Sequence, residues 1–115
     1  MSSNTDGRTA IVAGPDEDGI GAALEDEGVA VTRLEEVATR PALEEAGVGS
    51  ADLFVLTDVA QATSIPIARD LTDELRIVVY ATDTLPEFVR GQLDLAVDPR
   101  IADANVVAEE IAGIR

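Results

Sequence analysis

The chain has 115 residues, 23 of them Asp or Glu and 8 Lys or Arg, for a formal net charge of −15 and a sequence pI near 4.1. All the cations are arginine, and Lys, His, Cys and Trp are absent. That composition excludes a His/Cys zinc site, a Ser/His/Asp triad, a thiolate nucleophile, a Walker A loop and Schiff-base chemistry. So acidic a surface repels phosphate backbones, so nucleic acid is not an expected partner.

The length suits one domain. At 46% hydrophobic residues the chain has material for a core, which separates it from disordered chains of similar charge. Residues 1–7 read as a flexible tail and residues 8–115 as the domain. The polar start does not resemble a signal peptide, and no apolar run is long enough to span a membrane, so the expected location is the cytoplasm without membrane insertion. Complete replacement of Lys by Arg, with carboxylates in nearly threefold excess, is the composition expected of a halophilic protein, whose self-repulsion concentrated salt would screen; the alternative is an ordinary acidic protein whose lack of Lys reflects a GC-rich genome.

In chain order, continuous apolar runs at Ala10–Ala13, Val29–Val31, Leu53–Leu56, Ile77–Tyr80 and Leu95–Val97 predict five strands. Unbroken runs, rather than alternation, indicate strands buried on both faces, hence a parallel sheet between helices. Helical segments are predicted between them. Gly19–Glu27 ends at Gly28; Pro41–Ala46 is closed by Gly47; Gln61–Leu71 begins properly near Ser64 because of Pro66; Leu85–Gln92 and Ile101–Ile111 complete the set. Thr32–Arg40 is compatible with an extended second strand, an extra strand or a loop. Right-handed crossovers make this an α/β fold, a three-layer, Rossmann-like, doubly wound parallel sheet of order 2-1-3-4-5. Ligands of such sheets sit beyond the strand carboxyl ends, here among Gly14–Gly21, Thr57–Gln61, Ala81–Thr84 and Asp98–Arg100.

The stretches LEEAGVGSADLFVLTD (Leu43–Asp58), IPIARDL (Ile65–Leu71), RIVVYA (Arg76–Ala81) and LDLAVDP (Leu93–Pro99) resemble the N-terminal nucleotide-binding domain of the RCK or TrkA type, which regulates potassium channels and transporters. The resemblance implies a homodimer and NAD(H) or an adenine nucleotide bound over the first and third strand ends. Gly14, Asp16, Gly19, Thr57 and Asp58 would make the contacts, with Arg33 as a phosphate or ribose partner. The family's G-x-G-x-x-G turn is replaced by GPDEDGIG at Gly14–Gly21, which reads either as a ligand loop or as a self-capped helix start. Asp16, Glu17 and Asp18 would satisfy the helix dipole themselves and repel a pyrophosphate. Thr57-Asp58 similarly reads as ribose- or cation-binding, or as a helix cap.

The expected function is therefore non-catalytic, regulatory binding of a nucleotide or small ligand, since nothing assembles a nucleophile with a base. The alternative is a degenerate module acting only through protein contacts. The strand order is also that of response-regulator receivers, which carry an acidic pair after the first strand, a phosphoacceptor Asp at the end of the third, Ser or Thr after the fourth and Lys after the fifth. Asp16 with Glu17, Asp58 and Thr82 imitate the first three. Asp98-Pro99-Arg100 stands where the Lys would be, which argues against phosphotransfer.

Overall fold

The computed structural model describes residues 8–113; the tail expected at 1–7 lies outside them. Five parallel strands, β1 (Thr9–Ala13), β2 (Ala30–Leu34), β3 (Leu53–Leu56), β4 (Arg76–Tyr80) and β5 (Leu95–Val97), form one sheet of order β2-β1-β3-β4-β5. This is the α/β order expected from the sequence. β3 (LFVL) is buried at every position, as two-sided covering requires.

Helices α1 (Ile20–Asp26) and α4 (Ala104–Ala112) pack together on one face. Their core joins Ile20, Leu24, Val107 and Ile111 to Val12, Val55 and Tyr80 from the sheet. The other face carries α2 (Arg40–Ala46) and α3 (Ser64–Leu71), whose Leu43 and Ile65 meet Ile11, Phe54, Leu56 and Ile77. Each large apolar side chain fully buried in these layers stabilises the fold by about 1.5–3 kcal/mol.

Three segments refine the expected elements. Thr32–Arg40 resolves into an extension of β2 to Leu34 and a loop to Thr39, whose hydroxyl accepts from Ala42 N at 3.3 Å and caps α2. α4 begins at Ala104 rather than Ile101, because Asp98 captures the backbone of the preceding turn: Ile101 N donates to its carbonyl at 2.8 Å and Arg100 N to its carboxylate at 2.8 Å. Leu85–Gln92 is not an α-helix; only Glu87–Val89 forms one 3-10 turn. Pro86 is extended, with ψ 149°, and disfavours helix at Leu85, while Gly91 weakens the other end. The segment left between them is too short to nucleate a helix alone.

Candidate functional site

The strand carboxyl ends are locked in register. Ala13 pairs with Leu34 on one side and Leu56 on the other, Leu56 with Val79, and Tyr80 with Val97. The first residues beyond the strands are therefore Gly14-Pro15 after β1, Thr57 after β3, Ala81 after β4 and Asp98 after β5. Thr57 N donates to Ala13 O at 3.0 Å, which places Thr57 directly against the first loop.

That loop is held by the chain's own polar groups. The Asp16 carboxylate accepts from Ile20 N at 2.7 Å and Gly21 N at 2.9 Å, filling the start of α1 where a phosphate would need free N–H groups. Arg33, on β2, lies 3.9 Å from Asp16 and 3.4 Å from Glu25. Gly21 lies beneath them: a Cβ there would stand 2.7 Å from Arg33 Nη2 and 2.9 Å from Asp16 Oδ2. Thr57 donates its hydroxyl to the carbonyls of Ala13 and Pro15. Gly14 has φ +99°, and a Cβ on it would meet Thr57 Oγ1 at 2.6 Å. The GPDEDGIG segment is thus a self-capped helix start closed against β3, one of the two readings the sequence left open.

The remaining candidates divide between two places. Gly19 (φ +77°) precedes α1 with open space around it. Asp58 turns its carboxylate back onto Ala60 N at 3.0 Å and caps the 3-10 turn Val59–Gln61. Gly14, Asp16 and Arg33 border one hollow beside β2, with Gln61 among its walls. Thr57 and Asp58 border another, a cleft of about 370 Å³ shared with Glu17, Asp18, Tyr80 and Arg100. Pro15 lines both hollows, which meet where Gly14 lies against Thr57 and Asp58. Glu17 and Asp18 face this second cleft and do not cap α1; among the described residues, no three acidic side chains converge to hold a metal ion.

Sequence reasoning missed Gln61, whose Oε1 accepts from Ala38 N at 2.9 Å and ties the β2–α2 loop to α3's approach. It also missed Tyr80, buried with its hydroxyl donating to Ala102 O at 2.8 Å. Burial, with Asp18 and Asp103 nearby, raises the Tyr80 pKa. The Arg100 side chain, donating to Asp98 at 2.7 and 3.1 Å together with its own backbone N–H, holds the Asp98 carboxyl below its ordinary range. Asp98 is thereby a saturated acceptor at the end of β5. An Asx contact two residues apart was visible in the DPR triplet; the Tyr80 bond, across 22 residues, was not.

These positions bear on kinship. This chain belongs to the DUF7126 family. That family, of unknown function, matches residues 10–111. No curated protein matches the sequence. Similar solved structures include an orphan response regulator of H. pylori (HP1043; 11% identity, 92% of this chain and 95% of that one, TM-score 0.70) and a response regulator from Thermotoga maritima (14%, 92% and 95%, 0.70). A putative pilus assembly-related protein from Burkholderia pseudomallei is also similar (15%, 91% and 87%, 0.67). At such identities the likeness shows the fold.

The RCK/TrkA resemblance is corrected accordingly: the matching family is DUF7126 and the structural neighbours are response-regulator-like. The stretches that carried the resemblance are the apolar strands and helix starts that any sheet of this order requires. With it falls the nucleotide-binding function, whose phosphate position the Asp16 carboxylate occupies. Among the described residues, no helix is long and apolar enough to cross a membrane.

Proposed function

We propose that this chain is a receiver-like protein-interaction module that works without phosphoryl transfer. One observation carries the reading. Where receivers place an acidic pair, an Asp, a Ser or Thr and a Lys, the residues emerging from β1, β3, β4 and β5 here are Gly14-Pro15, Thr57, Ala81 and Asp98. The imitators noted in the sequence stand one or two residues further along; the Asp16 carboxylate is held by the start of α1, and that of Asp58 accepts from Ala60 N on its own turn. Phosphoryl transfer to a carboxylate needs a free acceptor and cations to offset the developing charge. Arg100, beside the Asp58 cleft, is already paired with Asp98, and Arg33, beside Gly14, lies between Asp16 and Glu25.

The similar structures, of response regulators and a pilus assembly-related protein, support a signalling or assembly role exercised through protein contacts. The homodimer expectation rested on the RCK resemblance and is not carried forward. A cytoplasmic location belongs to the same proposal, and a chain without cysteine is compatible with a reducing compartment.

The test is intact-mass spectrometry after incubation with acetyl phosphate and Mg²⁺. The expected result is an unmodified chain. A gain of one phosphoryl group that disappears in Asp58→Asn would overturn the reading.

A further inference from the structure

On the α2/α3 side, the helical layer stops short of β5. The β4–β5 crossover makes only the 3-10 turn Glu87–Val89 where the other crossovers build helices. Ala96, the middle residue of β5, is in register with Val79; Val79 is buried, whereas Ala96 is exposed. Between β5 and the crossover runs a cleft of about 370 Å³ lined by Val79, Leu85, Leu93 and Ala96, with Asp83 and Arg90 on its polar margin.

The crossover is fastened at Val89 and at its exit, Gln92 to Asp94. Val89 is fully buried as a peg. Arg69 of α3 donates to Leu75 O at 2.7 Å and Gln92 O at 2.9 Å. Asp94 accepts from Ile77 N at 2.8 Å and lies 3.3 Å from Arg69 and 3.7 Å from Arg76. Beside the peg, Phe88 is 56% exposed, a large apolar side chain left at the surface of a highly charged protein.

We propose that this cleft is a docking groove for a cationic amphipathic helix of a partner protein, which would supply the missing part of the layer. The inference rests on the protein-interaction reading above and names the partner's chemistry. Apolar side chains one helical turn apart stand about 5–6 Å from each other, a spacing that fits along a strand of three residues. Charge selects the occupant: Asp83 and Arg90 line the groove, Asp98 on its rim is paired with Arg100, and Glu87 belongs to the crossover that walls it, on a chain of net charge −15. A cationic partner is steered towards such a field, while a second copy of this chain, equally acidic, is repelled.

The probe is a fluorescent synthetic helix with leucines at i and i+4 flanked by arginines, titrated into the full chain at moderate salt, with an isomer carrying glutamates in place of the arginines. The arginine peptide is expected to bind and the glutamate isomer not to. Ala96→Gln, which places a polar side chain on the groove floor, should weaken binding about tenfold without changing the urea midpoint. Asp83→Asn with Glu87→Gln should weaken it about threefold and flatten its salt dependence. The proposal is overturned by no binding, by binding that Ala96→Gln leaves unchanged, by equal binding of the glutamate isomer, or by a dimer in sedimentation that Ala96→Gln dissociates. Failure here leaves the phosphate-independent reading standing on another surface. Phosphorylation of Asp58 defeats that reading without bearing on the groove.

Discussion

Replacing Asp16 by alanine separates two opposite expectations. On a chain of net charge −15, deleting a carboxylate relieves repulsion and should stabilise slightly, by about 0.3 kcal/mol for an exposed charge in salt. The structure opposes this, because the same carboxylate holds Ile20 N at 2.7 Å and Gly21 N at 2.9 Å. Each bond to a charged acceptor is worth about 1.5 kcal/mol at a partly exposed site, and loss of a cap costs about 0.5–2 kcal/mol. The two estimates describe the same contacts, so the net loss is about 2 kcal/mol. With a urea m-value of about 1.5 kcal/mol/M, the midpoint should fall by about 1.3 M, and the Tm by roughly 8 °C. Asp16→Asn, keeping one acceptor, should recover about half. Arg33→Ala, removing only an ion pair at 3.9 Å from Asp16 and 3.4 Å from Glu25, should cost less than about 1 kcal/mol. The assay is urea unfolding followed by circular dichroism. An Asp16→Ala protein as stable as the parent would refute the capped-loop account, because the carboxylate would then be a repelling charge and nothing more.

Other consequences follow from the same geometry. Gly14→Ala combines a φ of +99° with a Cβ 2.6 Å from Thr57 Oγ1 and 3.1 Å from the Asp58 backbone, so it should cost about 3 kcal/mol. Gly28→Ala, at φ +88° in open space, should cost about 1 kcal/mol, and equal losses in urea would contradict the close packing at Gly14. Tyr80 is the chain's single tyrosine, with no tryptophan present, so phenolate absorbance reports it alone. Burial raises its folded pKa above the ordinary value, so the unfolded chain ionises first as pH rises. The contribution is full below about pH 10 and is lost as pH climbs through the folded value; a stability curve just as steep in Tyr80→Phe would refute this. Unfolding against KCl should show stability increasing from about 0.1 to 3 M as the carboxylates are screened, and a flat response would remove the halophilic reading.

Much of the fold was readable because the sheet is buried on both sides: AIVA, LFVL and IVVY are continuous apolar runs, and each crossover leaves few ways to connect them. Leu85–Gln92 misled because Leu85, Val89 and Leu93 keep a helical spacing while Pro86 and Gly91 deny the backbone a helix. At the strand ends a single residue decides the chemistry. Thr57 and Asp58 are adjacent in sequence, yet the register puts Thr57 against Ala13 and turns Asp58 onto Ala60 N. Apolar runs mark where a strand lies but not which side chain emerges at its tip. The self-capped helix start was one of two readings of GPDEDGIG; what decides between them is the loop conformation that sets the Asp16 carboxylate on amides four and five residues ahead.

The most direct test of a crevice that works without phosphoryl transfer is the amide NMR spectrum of the intact chain, with and without beryllofluoride and Mg²⁺ as a phosphoryl mimic. The account predicts that the signals of Gly14, Gly21, Thr57, Asp58, Ala81 and Asp98 stay in place. Saturable shifts centred on Asp58 and Ala81 would contradict it and return the chain to phosphoryl chemistry.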